Sequence, residues 1–234
     1  MPSLVAVLIL LAEPNFCAEK PNEAAAASHG RPSRGSVDGA AQLTESAAVR
    51  VLPKRHRGRC LTWGTPRLVE ALAAAGAAVQ AAVPDSPALG VGNLGRPRGG
   101  SLAPYSKSHQ AGRDADLAFY ATDAKGQPMA LDDLEHFGGD LRSRDSSLRF
   151  DVRRNWALVA ALLSDARIEV KWLFVSEELK QALLTEGRRQ GAAPALLRRA
   201  AEVLHQPSDA PPHDDHFHLR IRCTATERAA DCRD

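Results

Sequence analysis

Three of the chain's eight histidines fall within six positions, in His213-Asp214-Asp215-His216-Phe217-His218-Leu219-Arg220-Ile221-Arg222-Cys223. Read as a β-strand from His216, the stretch alternates. His216, His218, Arg220 and Arg222 share one face, and Phe217, Leu219, Ile221 and Cys223 the other. Side chains two apart on a strand stand roughly 6.5–7 Å apart, whereas a nitrogen–zinc bond spans about 2.0–2.1 Å. One ring can therefore hold a metal ion while the other reaches a water beside it. The competing reading is a solvent-facing edge strand whose histidines take up metal adventitiously.

A second stretch, Ser108-His109-Gln110-Ala111-Gly112-Arg113-Asp114-Ala115-Asp116-Leu117-Ala118-Phe119-Tyr120, supports the first reading. Gly112 permits the turn that carries the His109 loop over a strand opening at Asp116, with Asp116, Ala118 and Tyr120 on one face. His109, Asp116 and a strand imidazole make an N, N, O ligand set. Such a set leaves a fourth tetrahedral position for water, as catalytic zinc requires.

Taken together and in this order, Ser-His-x-x-Gly-x-x-x-Asp and His-Asp-Asp-His-Phe-His resemble the penicillin-insensitive murein endopeptidases. These are zinc peptidases related to the lysostaphin-type and D-alanyl-D-alanine peptidases. The resemblance implies Zn2+ held by His109, Asp116 and His218, with His216 orienting or deprotonating the attacking water. It implies that His213 hydrogen-bonds near the transition state. The implied substrate is the D-Ala–diaminopimelate cross-link between peptidoglycan peptide stems, and the implied location is periplasmic or secreted. Related carboxypeptidases usually carry Glu-x-x-His where this chain has His-x-His, which favours the endopeptidase branch. One position departs from the pattern: Ser106 stands where well-known members place a further histidine, so any contact made by that ring is missing. Two rivals stay open, a D,D- or L,D-carboxypeptidase on the same substrate class and a non-catalytic wall-binding domain that keeps the metal site.

The 234 residues suffice for one substantial domain with an appendage. A formal charge of +2, with no basic stripe interleaved with aromatics, points away from nucleic acid. Arg113 and Arg220, next to the expected ligands, are placed to clamp a substrate carboxylate, as are Arg96 and Arg98 in a loop. Leu4–Ala12 is too short to span a bilayer and resembles the apolar part of a secretory signal. Residues 1–16 therefore read as a possible signal segment, 17–48 as a compositionally biased linker or leader remnant, and 49–234 as the peptidase domain. Cys223 and Cys232 are close enough to pair across a polar turn, and Cys17 with Cys60 if both remain in the mature chain.

The elements that must position these groups read as α+β, a small antiparallel sheet flanked by helices and long loops. Thr65-Pro66 starts a helix with Leu68, Val69, Leu72, Ala75 and Val79 inward. Residues 84–107 read mostly as loop, forming one wall of the cleft. A hairpin turns at Asp123–Gly126, and Leu148–Phe150 adds a short strand. A helix spans Asn155–Leu163, and Ile168–Val175 is a strand. Ser176 caps a helix ending before Gly187, and Pro194–Leu204 is another. Asp151 reads either as a helix cap or as support for a ligand imidazole, and Asp214 and Asp215 either as orienting His213 or His216 or as solvated turn residues. His136 could line the cleft, while His29, His56 and His205 read as surface residues. Gly-x-Ser-x-Gly and the P-loop pattern are absent. Gly90–Gly95 satisfies Gly-x-Gly-x-x-Gly, but Arg96-Pro97 follows it instead of a helix, so the match reads as chance.

Overall fold

The chain's structure, a computed structural model, describes residues 15–234, and the Leu4–Ala12 run lies outside them. Six strands form the main sheet: β1 (Val49–Val51), β2 (Leu89–Val91), β3 (Asp114–Ala118), β4 (Val170–Phe174), β5 (Leu204–His205) and β6 (His216–Ile221). Their order is β5-β4-β6-β3-β2-β1. The two strands that carry the motifs are thus central neighbours. They pair antiparallel, with Asp114 opposite Arg220, Asp116 opposite His218 and Ala118 opposite His216.

The α+β expectation holds, but the sheet is mixed. Both outer pairs, β1 with β2 and β4 with β5, are parallel. Parallel neighbours need a long crossover, and helices supply it: α1 (Pro66–Ala82) between β1 and β2, then α3 (Glu177–Arg189) and α4 (Pro194–Val203) between β4 and β5. Together with α2 (Val152–Ser164), these helices contribute to one apolar core with Leu117, Phe217 and Leu219, all fully buried. The odd-numbered positions of β3 and β6 therefore point into the core, and the even-numbered ones carry the charged groups. α5 (Ala225–Ala230) closes the chain behind a capping box made by Thr224 and Glu227.

Local chemistry explains the element ends. Thr65 precedes Pro66 at the start of α1, Asp151 accepts the Arg154 N–H at the start of α2, and Ser176 accepts the Leu179 N–H at the start of α3. Asp151 is therefore a helix cap. Gly187 lies inside α3 instead of beyond it, at a place where an added Cβ would stand 2.5 Å from the Trp156 ring. Residues 84–107 are not all loop, since Leu89–Val91 is a strand of the main sheet. Segment 17–48 is also more ordered than its composition suggests. It carries a hairpin, Ala27–Arg31 with Arg34–Asp38. Its own apolar content is too small for a core, and it borrows one: Val37 is buried, and the Ser28 hydroxyl donates to the Ala111 carbonyl at 2.7 Å. Disulfides join Cys17 to Cys60 and Cys223 to Cys232.

Candidate metal centre

The β3–β6 register brings Asp116 and His218 together. His109 reaches them from the preceding loop, where it adopts a left-handed φ of 67°. Its Nδ1 lies 2.6 Å from the Leu94 carbonyl oxygen and must donate to it, which leaves a lone pair on Nε2. His109 Nε2 lies 3.1 Å from Asp116 Oδ1, and His218 Nδ1 lies 3.4 Å from the same oxygen. Ligand atoms bonded tetrahedrally at about 2.0–2.1 Å stand roughly 3.3–3.4 Å apart, so the spacing suits a single dication. All three side chains are buried. His109 Nε2 and Asp116 Oδ1 have no hydrogen-bond partner, an arrangement that protein interiors rarely leave uncompensated. The donor set fits zinc on this ground: lone pairs converge where a cation or a proton must intervene. Burial alone would lower the His109 pKa, but the Asp116 carboxylate outweighs it and raises it. Burial pushes Asp116 up, yet His109 and His216 hold it well below the carboxylate range.

Carboxylates orient the rings from behind. His218 Nε2 donates to Asp114 Oδ1 at 2.8 Å, which frees Nδ1 for the cluster. Asp114 also accepts the Arg220 Nε–H at 2.6 Å. Against the effect of burial, Arg220 and His218 keep it strongly ionised. Asp114, which holds the His218 ring, is a partner of the cluster that sequence reasoning missed. Its signal was a position two residues before Asp116, on the same strand face. His216 Nδ1 donates to Asp215 Oδ1 at 2.6 Å, and its Nε2 lies 3.3 Å from Asp116 Oδ1. Burial opposes charge on this ring, but Asp116 and Asp215 push its pKa up to about 10. His213 is driven the other way, to about 4, first by burial and then by the neighbouring His216 and His218. Its ring centroid lies 5.4 Å from that of His216, and its buried Nδ1 has no partner.

The sequence profile of the penicillin-insensitive murein endopeptidase family matches residues 28–234. The chain belongs to this family. No curated protein matches it. As a murein endopeptidase it is a peptidase, and the family's activity implies hydrolysis of peptidoglycan cross-links. The family's substrate and the two disulfides point to an extracytoplasmic location. Among the described residues, no helix is long and apolar enough to cross a membrane.

In this murein endopeptidase a groove opens beside His213 and His218, lined by Ser106–Ser108, Phe174, Arg220 and parts of the Pro207–Pro211 loop. Arg220 is therefore brought to the site. Arg113 is not. Its side chain is wholly buried, and it donates to Ser28 Oγ, the carbonyls of Ile221 and Arg233, and Asp234 Oδ1. Arg96 pairs with Glu19 and Arg98 donates to the Lys20 carbonyl, so only Ser106 and Lys107 at the end of the 84–107 segment line this groove. Asp214 bonds His136 Nδ1 at 2.6 Å and not His213. His29 pairs with Asp38, and His205 lies over Trp172 with ring centroids 5.1 Å apart. His56, read from sequence as a surface residue, is buried beside Asn93.

Proposed function

We propose that this murein endopeptidase is a zinc peptidase that cleaves the D-Ala–diaminopimelate cross-link in the periplasm or outside the cell. In this reading His109 Nε2, Asp116 Oδ1 and His218 Nδ1 hold the ion. The observation that carries it is the convergence of two imidazole lone pairs on one buried carboxylate oxygen at 3.1 and 3.4 Å. Zinc held there supplies Lewis acidity to the scissile carbonyl and lowers the pKa of water from about 15.7 toward about 7.

His216 takes the proton of the attacking water at Nε2, with Asp215 fixing its tautomer through Nδ1. A dication held by Asp116 would offset the charge that lifts the His216 pKa, and the ring would then take the neutral form a base needs. His213, kept neutral, offers an N–H to the carbonyl oxygen as negative charge develops. Arg220, anchored through Nε to Asp114, presents the rest of its guanidinium to a stem-peptide carboxylate along the groove. Nothing in this chemistry offers β-lactams a serine to acylate, which agrees with penicillin insensitivity.

The test is digestion of cross-linked muropeptides with and without a chelator. Conversion of dimers to monomers, lost on chelation and restored by zinc, is expected. Release of D-Ala without monomers would indicate a carboxypeptidase, and binding without conversion a wall-binding domain. His218→Ala should lose zinc and cleavage together, whereas His216→Ala should keep zinc and lose rate.

A further inference from the structure

The Gly90–Gly95 stretch opens no helix. It leaves β2 and passes directly behind both groups of the first motif. The Gly92 N–H donates to the Asp116 carbonyl at 2.8 Å, and the Asp116 N–H donates to the Asn93 carbonyl at 2.9 Å. The Leu94 carbonyl accepts from His109 Nδ1 at 2.6 Å. The Asn93 side chain is buried, and its Nδ2 donates to Asp116 Oδ2 at 3.3 Å. The Asn93 Oδ1 in turn lies 3.2 Å from His56 Nδ1, which must donate to it. The glycines make this close passage possible. A Cβ on Gly92 would stand 3.2 Å from the His56 ring and 3.3 Å from Asp116 Cβ, and one on Gly95 would stand 2.9 Å from the His109 carbonyl oxygen.

A carboxylate has two oxygens and a soft terminal torsion. Only Oδ1 of Asp116 faces the histidines. An N–H on Oδ2 holds the group in that orientation, but an amide supplies one only if it is not flipped. His56 decides the orientation, because a ring N–H facing Asn93 donates only to the amide oxygen. His56 Nε2 faces Asp133 Oδ1 at 3.4 Å without a hydrogen bond, which leaves Nδ1 as the ring nitrogen that donates. We propose that Asn93, oriented by His56, is a positioning residue that fixes the ligating oxygen of Asp116, and that Gly92–Leu94 straps both ligands of the first motif in place. The inference rests on the metal reading above and goes beyond it, since neither side chain touches the cluster of three ligand atoms.

Zinc affinity by chelator competition and the visible spectrum of the cobalt-substituted protein test it, on the parent chain and four variants. Asn93→Leu and Asn93→Asp, which remove the donor, should bind zinc 10–100-fold more weakly, an effect of about the size expected for outer partners of ligands, and should alter the cobalt spectrum. His56→Leu should lose about tenfold, and His56→Asn, whose amide nitrogen can stand where ring Nδ1 stands, should recover the parent value. A merely structural network would lower the thermal midpoint of the metal-free protein without changing either readout. A folded Asn93→Leu within about twofold of the parent affinity, with an unchanged cobalt spectrum, overturns the proposal. If that variant does not fold, equal affinities in His56→Leu and His56→Asn overturn it instead. A parent chain that binds no zinc sinks the metal reading and this inference with it.

Discussion

The β3–β6 pair buries charge in two places: Arg113 with Asp234 just beyond its Asp114–Arg220 end, and Asp116 with its histidines from its centre to its Ala118–His216 end. At the first, Arg113 donates from Nε and both terminal nitrogens to four acceptors, and the Cys223–Cys232 disulfide holds the segment that supplies two of them. At the second, His109 Nε2, Asp116 Oδ1 and His213 Nδ1 are buried without a partner. Burying a charge is tolerable when every polar atom finds a partner, and costly when one does not. The saturated end is therefore built for stability, and the unsaturated end holds open a place for something else. Two arginines one strand position apart in the pairing, Arg113 and Arg220, fall on opposite sides of this division, so their chemical identity says little about their work.

Substitutions at the two ends should separate these roles. The largest effect is expected from Asp116→Asn, which should abolish zinc binding in equilibrium dialysis while shifting the metal-free thermal midpoint little, because the charge that burial penalises is also the one that His109 and His216 hold ionised. A large fall in that midpoint would show that Asp116 is structural after all. Next is Arg113→Met, which takes the guanidinium from Asp234, Ser28 and two carbonyls and should cost about 3 kcal/mol in denaturant unfolding. Zinc affinity of the folded fraction should not change; a parallel loss would mean that the ends are not independent. The smallest effect concerns pH. His56 has its pKa lowered by burial, so its contribution to stability is complete above the unfolded value near 6.5 and is lost as pH falls toward the folded value. Between about pH 7 and 5, metal-free His56→Asn should lose less stability than the parent, a difference that separates His56 from His109, His213 and His216, whose shifts act in both proteins alike. Identical slopes would exclude His56 as a source.

Much of the site was legible because its ligands lie in short motifs. Strand alternation put His216, His218 and Arg220 on one face, and His218 and Arg220 line the groove while His216 Nε2 faces Asp116. Arg113 was misplaced because only its nearness in sequence to the ligands was used, the strand being taken to open at Asp116. Starting at Asp114, as β3 does, alternation would have revealed the Asp114–Asp116 face, although not the partners of Asp114. The parallel strands β1 and β2 escaped notice because three-residue strands carry too little periodicity to stand out from glycine-rich loop.

What this chain's sequence decided alone was which side chains are able to do the chemistry, since ligand type and local spacing are properties of a few consecutive residues. The tertiary structure decided which atoms of those side chains are free. His218 binds through Nδ1 in our reading because Asp114, 104 residues away, occupies Nε2. His56 meets Asn93 because β1 and β2 run parallel and deliver their continuations to the same edge of the sheet. A hydrogen bond that selects one nitrogen over another depends on the register of distant strands, and that register exists only once the core has closed.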